Sequence, residues 1–532
     1  MGEGETREGL NRPGRGRPRA AKRGRGGPFA AAGRRGLVIY EVNTLIWLRE
    51  LGERRGRRVT LADVSAGDWD ELVPAGVDAL WLMGVWERSP LGREIALGDG
   101  SLRSRLEEVL GGLEEGDVVA SPYCVRRYDV DPDLGGNEGL AAARDALKDR
   151  GVRLILDFVP NHLAPDSPLL DEDPRCFLPG DEGDLQRDPA AFLATPRGVF
   201  ARGRDPHYPP WPDVLQLNAF SPHWRRRAAS LLSGMTALCD GLRCDMAHLL
   251  LNRVFAETWG ERAGHGPARD FWEEVLPPLK AARPDFLLIA EAYGGWEETL
   301  LDQGFSLAYD KPLYDALAAG DPWWFRDRLA AVAARQEGLL RFLENHDEQR
   351  AAALFPPERL RAAAILAYTL PGSRLFHEGQ FTGRKVRLPV FLGRRPPEPP
   401  DGDLEAFYGR LVDLVSSLPP DASWSLCPVR GWPDNDSWRN ITAWAWDSPP
   451  RRLWVIVNYT ARPSQALVTW PWGGLGGRSW VLRDPLTGAR YERDGDEMDA
   501  CGLFVDLGPW SFHVFTVTPA SGGAPQPDRP FL

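Results

Sequence analysis

The sequence predicts an α/β protein: a closed (β/α)8 TIM barrel with a small inserted lobe after its third strand, followed by a C-terminal antiparallel β-sandwich domain. Three observations carry that expectation. Eight short aliphatic or β-branched runs recur between Leu37 and Phe376, segments of helical spacing separate them, and beyond a helix at 403–417 short strands alternate with Gly, Pro and Asp turns.

The eight runs are 37–43, 78–83, 153–158, 241–245, 287–291, 306–309, 339–344 and 373–376. Helical spacing marks 138–150, 222–238, 268–283, 323–336 and 357–368. Eight strand runs alternating with helical segments point to a closed barrel, although the pattern alone also fits an open doubly wound sheet. Two connections exceed ordinary barrel loops: 87–120 after the second strand, and 163–220, rich in Pro, Asp and Gly, after the third. The expected organisation is a disordered basic tail at 1–36, barrel at 37–162, inserted lobe at 163–220, barrel again at 221–420, sandwich at 421–520 and a short tail at 521–532. Within the sandwich the strand runs are 441–446, 453–459, 465–470, 478–483 and 513–517.

Composition bounds the partners. The 532 residues are 43% apolar, enough for several cores, and 64 Lys+Arg against 75 Asp+Glu leave a net charge of −11. That balance disfavours a polyanion or a membrane surface as partner of the chain body. Only the first 36 residues, with ten Lys/Arg against three Glu in a Gly/Pro frame, have nucleic-acid character, and a solvated tail is the plainer reading. Six cysteines without a C-x-x-C pair read as reduced thiols rather than a disulfide framework. With no secretory h-region and no run of ~18 apolar residues, the expected location is the cytoplasm.

In such a barrel the chemistry lies at the C-terminal strand ends. Asp157, Asp245 and Glu291 end the third, fourth and fifth runs, and Asp347 follows the seventh; His162, Arg243 and His346 share those ends. Four carboxylates on one rim destabilise a fold unless Arg or a polyhydroxylated ligand compensates them. Each acid also sits in an ordered string: Asp157-Phe158-Val159-Pro160-Asn161-His162, Gly241-Leu242-Arg243-Cys244-Asp245, Ala290-Glu291-Ala292-Tyr293, and Phe342-Leu343-Glu344-Asn345-His346-Asp347.

These four strings, in this order, resemble the four signature regions of the α-amylase family of glycoside hydrolases (glycoside hydrolase family 13), and the similarity extends over roughly 37–520. The resemblance implies a retaining α-glucoside-active hydrolase or transglycosylase acting on α-glucans, maltodextrins or small α-glucosides. In it Asp245 is the nucleophile, kept ionised by Arg243, and Glu291 is the general acid, holding a proton through desolvation and nearby negative charge. Asp347 stabilises the distorted sugar, His162 and His346 donate to its hydroxyls, Asp157 organises Arg243, and Tyr123 offers a stacking face. No cofactor is required; calcium is admitted through Asn161, a ligand in many members, though no other ligand can be matched. Oligomeric state is not legible.

Two departures qualify the resemblance. The nucleophile is followed by Met246-Ala247-His248, with His248 where endo-acting amylases carry Lys, and Gln216 stands where an acid is frequent. The segment from His377 through Pro389 after the eighth strand reaches the rim and either shapes acceptor binding or is a structural loop. The competing class is a catalytically silent amylase-like scaffold or carbohydrate-binding protein; the presence of all three acids argues against it.

Overall fold

The computed structural model describes residues 36–331, 335–449 and 451–520; the expected tails, apart from Gly36, lie outside the described residues. Eight parallel strands close into a barrel: β1 (Val38–Asn43), β2 (Ala79–Met83), β3 (Arg153–Phe158), β4 (Gly241–Cys244), β5 (Leu287–Ala290), β6 (Leu307–Tyr309), β7 (Leu339–Arg341) and β8 (Ser373–His377). Each pairs with its sequence neighbour, and β8 pairs with β1 to leave no edge. The open doubly wound alternative is thereby excluded.

The period of two along each strand divides the side chains. One parity, including Val42, Leu82, Leu156, Leu242 and Leu288, joins the core beneath the surrounding helices. The other, including Ile39, Trp81, Ile155, Ile289, Tyr309 and Leu375, fills the barrel interior. Continued to the strand ends, the interior parity reaches Glu41, Asp157, Arg243, Asp245 and Glu291, which is how the fold gathers charge at one mouth. Gly372 (φ +97°) precedes β8 where a Cβ would sit 2.3 Å from the Gln336 carbonyl oxygen, so the Leu370-Pro371-Gly372 turn needs a glycine there.

Three expected strand ends are shortened. The ladders stop at Cys244, Ala290 and Arg341, so Asp245 and Glu291 sit one residue past their strands and Glu344 lies outside β7. For the fourth strand the reason is local. Met246 takes a left-handed conformation (φ 45°), turning the chain straight after Asp245.

The 163–220 insertion is necked by an antiparallel pairing of His162–Leu163 with Leu215–Gln216 and carries a hairpin of Phe192–Thr195 with Gly198–Ala201. The 87–120 connection folds into helices Pro90–Gly98 and Gly100–Leu110, whose small core takes in Leu392 of the segment after β8.

The C-terminal domain is a sandwich. Six strands, ordered Ser423–Leu426, Ile441–Ser448, Arg451–Asn458, Phe512–Pro519, Ser479–Arg483 and Arg490–Asp494, face three: Val429–Arg430, Ser464–Val468 and Leu503–Leu507. Ala443, Trp454, Ile456 and Phe515 of one sheet pack with Ala466, Val468 and Val505 of the other. The opposite face of the larger sheet joins the barrel core, and the indoles of Trp444 and Trp446 both donate to the Thr369 carbonyl (3.2 and 2.8 Å). The reading of the sequence missed Ser423–Leu426, Val429–Arg430, Arg490–Asp494 and Leu503–Leu507. The first and third are polar sheet edges, and the second is two residues long.

Candidate active site

Arg243 is fully buried, and its guanidinium is the hub of the barrel mouth. Nη1 lies 2.6 Å from Asp245 Oδ1 and 3.9 Å from Asp157 Oδ1; Nη2 lies 2.5 Å from Glu291 Oε1 and 4.0 Å from Asp347 Oδ2. All four carboxylates expected at the rim thus converge on one cation. The register explains it: Arg243 pairs laterally with Asp157 on β3 and with Ile289, two residues before Glu291, on β5. Trp81, Tyr123 and Tyr309 place their rings 5.3, 5.4 and 5.8 Å from the guanidinium carbon, closing the site to bulk water below.

Glu291 is held from every side. Besides Arg243, its Oε2 accepts from the Met246 amide (2.7 Å), its Oε1 accepts from the Tyr293 hydroxyl (2.9 Å), and its carbonyl oxygen accepts from the Ala247 amide (3.0 Å). The left-handed turn at Met246 is what aims those two amides at it.

Asp347 is half-exposed (47%), whereas Asp245 and Glu291 are buried. It pairs with His346 Nε2 at 2.9 Å; His346 Nδ1 meets the fully buried Glu41 at 2.5 Å. Tyr123 stacks on His346 with ring centroids 5.2 Å apart, and its hydroxyl lies 2.8 Å from Nε2, so one face of the expected sugar platform is already occupied by imidazole.

The protonation pattern follows from burial and competition for Arg243. Burial pushes Asp245 up to about 8, with the Glu291 charge adding to it and Arg243 only partly opposing. This departs from the expectation that Arg243 keeps Asp245 ionised: one guanidinium is shared among several acids, and Glu291 takes its closest contact. Burial likewise raises Asp157 to about 6. Although burial opposes it, the two flanking carboxylates hold His346 well above the usual histidine range, and the charged imidazole lowers Asp347 to about 2 against the desolvation that would raise it.

His162 is placed differently from the others. It sits at the neck of the inserted lobe with its ring against Trp211 (5.0 Å), and burial lowers it to about 3, keeping it neutral. Among the described residues no hydrogen bond or ion pair joins it to the four carboxylates. Beside it, the Asn161 side-chain oxygen accepts from the Gln216 amide nitrogen (2.9 Å), which also donates to the Asn161 carbonyl (2.9 Å). That donor takes one of the oxygen's two lone pairs, and among the described residues no cluster of three His, Cys, Asp or Glu is present to complete a metal site around it. Asn161 alone does not make a calcium site.

Sequence reasoning passed over Glu41, Trp81 as a wall of the Arg243 cage, Tyr309, and the hydroxyl of Tyr293. The interior parity of β1, β2 and β6 was a signal for Glu41, Trp81 and Tyr309.

No family model matches the chain. It is 23% identical over 446 residues to α-amylase MalA of Haloarcula japonica, covering 80% of this chain but 56% of that protein, so it spans about half the length of that relative. Among solved structures it is similar to the maltogenic α-amylase AmyB of Thermotoga neapolitana (TM-score 0.65, 17% identity, 91% of this chain and 99% of that one). It is also similar to the α-amylase of Geobacillus thermoleovorans solved with acarbose (TM-score 0.61, 17% identity, 91% and 99%). At these identities the likeness establishes the fold.

Proposed function

We propose that the chain is a retaining α-glucoside-active enzyme of the α-amylase family, a hydrolase or transglycosylase of α-glucans, maltodextrins or small α-glucosides. The observation that carries this reading is the clamping of Asp245 and Glu291 by the two Nη atoms of one guanidinium. Carboxyls in contact with neighbouring nitrogens of one planar guanidinium are held near each other, which favours the roughly 5 Å of a retaining pair over the roughly 6.5–9.5 Å of an inverting pair.

Asp245 attacks the anomeric carbon and forms the glycosyl-enzyme bond while Glu291 protonates the departing oxygen; Glu291 then takes a proton from water or an acceptor hydroxyl, which displaces Asp245. Reaction requires the charge on Asp245 and the proton on Glu291. Burial works against the charge on Asp245 in the empty site, and Arg243, which touches an oxygen of each acid, is the cation that opposes it. Asp347, ionised beside protonated His346, supplies the fixed negative charge that favours an oxocarbenium-like ring.

The test is a product profile on maltose, trehalose, sucrose, maltodextrin, glycogen and an activated α-glucoside, with the anomer followed by NMR at early times. Release of the α-anomer supports the reading. The β-anomer as first product contradicts double displacement, and no release from any substrate favours a silent scaffold.

A further inference from the structure

His248 stands where the resemblance led us to look for Lys, and the mechanism above does not use it. It ends the turn begun by left-handed Met246, in the short helix Ala247–Leu250, the same turn whose amides bind Glu291. It is only 5% exposed, and its Nδ1 has no hydrogen-bond partner among the described residues. Its ring meets Tyr293 edge-on, with centroids 5.5 Å apart at 85°, and the Tyr293 hydroxyl donates to Glu291. Tyr293 needs an external support, because Gly294 and Gly295 follow it, both with positive φ (72° and 85°).

The other side of His248 faces the inserted lobe. Its Nε2 lies 4.0 Å from Oδ2 of buried Asp205, whose Oδ1 accepts from the His207 amide (2.7 Å). Arg204 anchors that stretch, donating to the Thr258 carbonyl (2.7 Å) and lying over the Trp259 ring (4.7 Å), both in the helix Asn252–Trp259 just after the His248 turn. A continuous line of contacts therefore runs from lobe to carboxyl: Asp205, His248, Tyr293, Glu291.

We propose that His248 is a positioning residue whose ring, braced by Asp205 of the inserted lobe, holds the Tyr293 hydroxyl on Glu291. The assignment rests on Glu291 being the acid/base. A donor on a carboxylate favours its charged form. Losing the Tyr293 hydroxyl from Glu291 therefore favours the protonated acid and moves the basic limb of kcat/KM to higher pH, by about one unit. The charged and titratable groups around Glu291 are Arg243, Asp245, Asp347, Tyr293 and Tyr309, and those around His248 are Asp205 and His207; of these the variants below change only Tyr293.

The experiment compares pH profiles of the full chain carrying Tyr293→Phe, His248→Leu, His248→Phe and the His248→Leu/Tyr293→Phe pair. Tyr293→Phe and His248→Leu are expected to move the basic limb upward, the double variant no further than Tyr293→Phe alone, and His248→Phe, which keeps an aromatic edge, to leave the limb in place. A role confined to packing would lower thermal stability without moving the limb. Crystal structures of His248→Leu and His248→Phe give a readout independent of turnover: the Tyr293 to Glu291 contact should be lost in the first and kept in the second. An unmoved limb in His248→Leu, additive shifts in the pair, or an intact contact in the His248→Leu crystal would each overturn the proposal. If the wild-type chain turns over no α-glucoside, the functional reading fails, and the crystal comparison still decides the positioning role.

Discussion

Replacing Asp245 with Asn should abolish turnover and, above all, stabilise the fold in a pH-dependent way. A carboxyl whose pKa is higher folded than unfolded binds its proton more tightly in the native state, so its contribution to stability falls as pH rises from its unfolded value of about 3.9 through its folded value of about 8. The amide, a neutral isostere, escapes that loss. Between pH 5 and pH 8 the wild type should lose at most three units at about 1.4 kcal/mol each, an upper bound of roughly 4 kcal/mol. Urea unfolding of both proteins at pH 5, 6, 7 and 8 reads the effect directly. The stability gap should widen in favour of the Asp245→Asn variant at every step. A gap that stays constant, or closes with rising pH, would show that Asp245 is not the acid that burial raises. Turnover retained by the purified variant would remove it as nucleophile.

Two further outcomes follow from the same geometry. Arg243→Met leaves several carboxylates facing one another without their shared cation, and should cost about 3–5 kcal/mol at pH 8 and less at pH 5, where the acids can protonate; urea midpoints at the two pH values check it, and an unaffected midpoint would contradict the hub role. Because no cluster of three His, Cys, Asp or Glu accompanies Asn161 among the described residues, prolonged EDTA treatment should leave the melting temperature and activity unchanged. A fall of several degrees reversed by calcium would locate a cation site elsewhere.

Much of this was legible before any coordinates. Hydrophobic runs of strand length placed all eight barrel staves, because a strand buried on both faces needs near-continuous apolar sequence. The acids stood out because barrel chemistry collects at strand ends, and ordered strings around Asp157, Asp245, Glu291 and Asp347 separated them from acids that are merely solvent-facing. Three of the sandwich strands that escaped notice are short or polar, whereas Leu503–Leu507 does alternate buried Leu503, Val505 and Leu507 and was a missed signal.

Protonation, by contrast, could not be read from order along the chain. Arg243 two residues before Asp245 suggested a private ion pair, yet closure of the sheet brings Glu291 to the same guanidinium from the next strand, and burial then outweighs what is left of the attraction. Nor could any spacing rule pair Glu41 with His346, 305 positions away, or the lobe residue Asp205 with His248. Which residue types stand at which strand ends is a local property written in the chain. How those groups divide one cation and one proton depends on distances set by barrel closure, and electrostatic energy in a buried site follows those distances rather than separation in sequence.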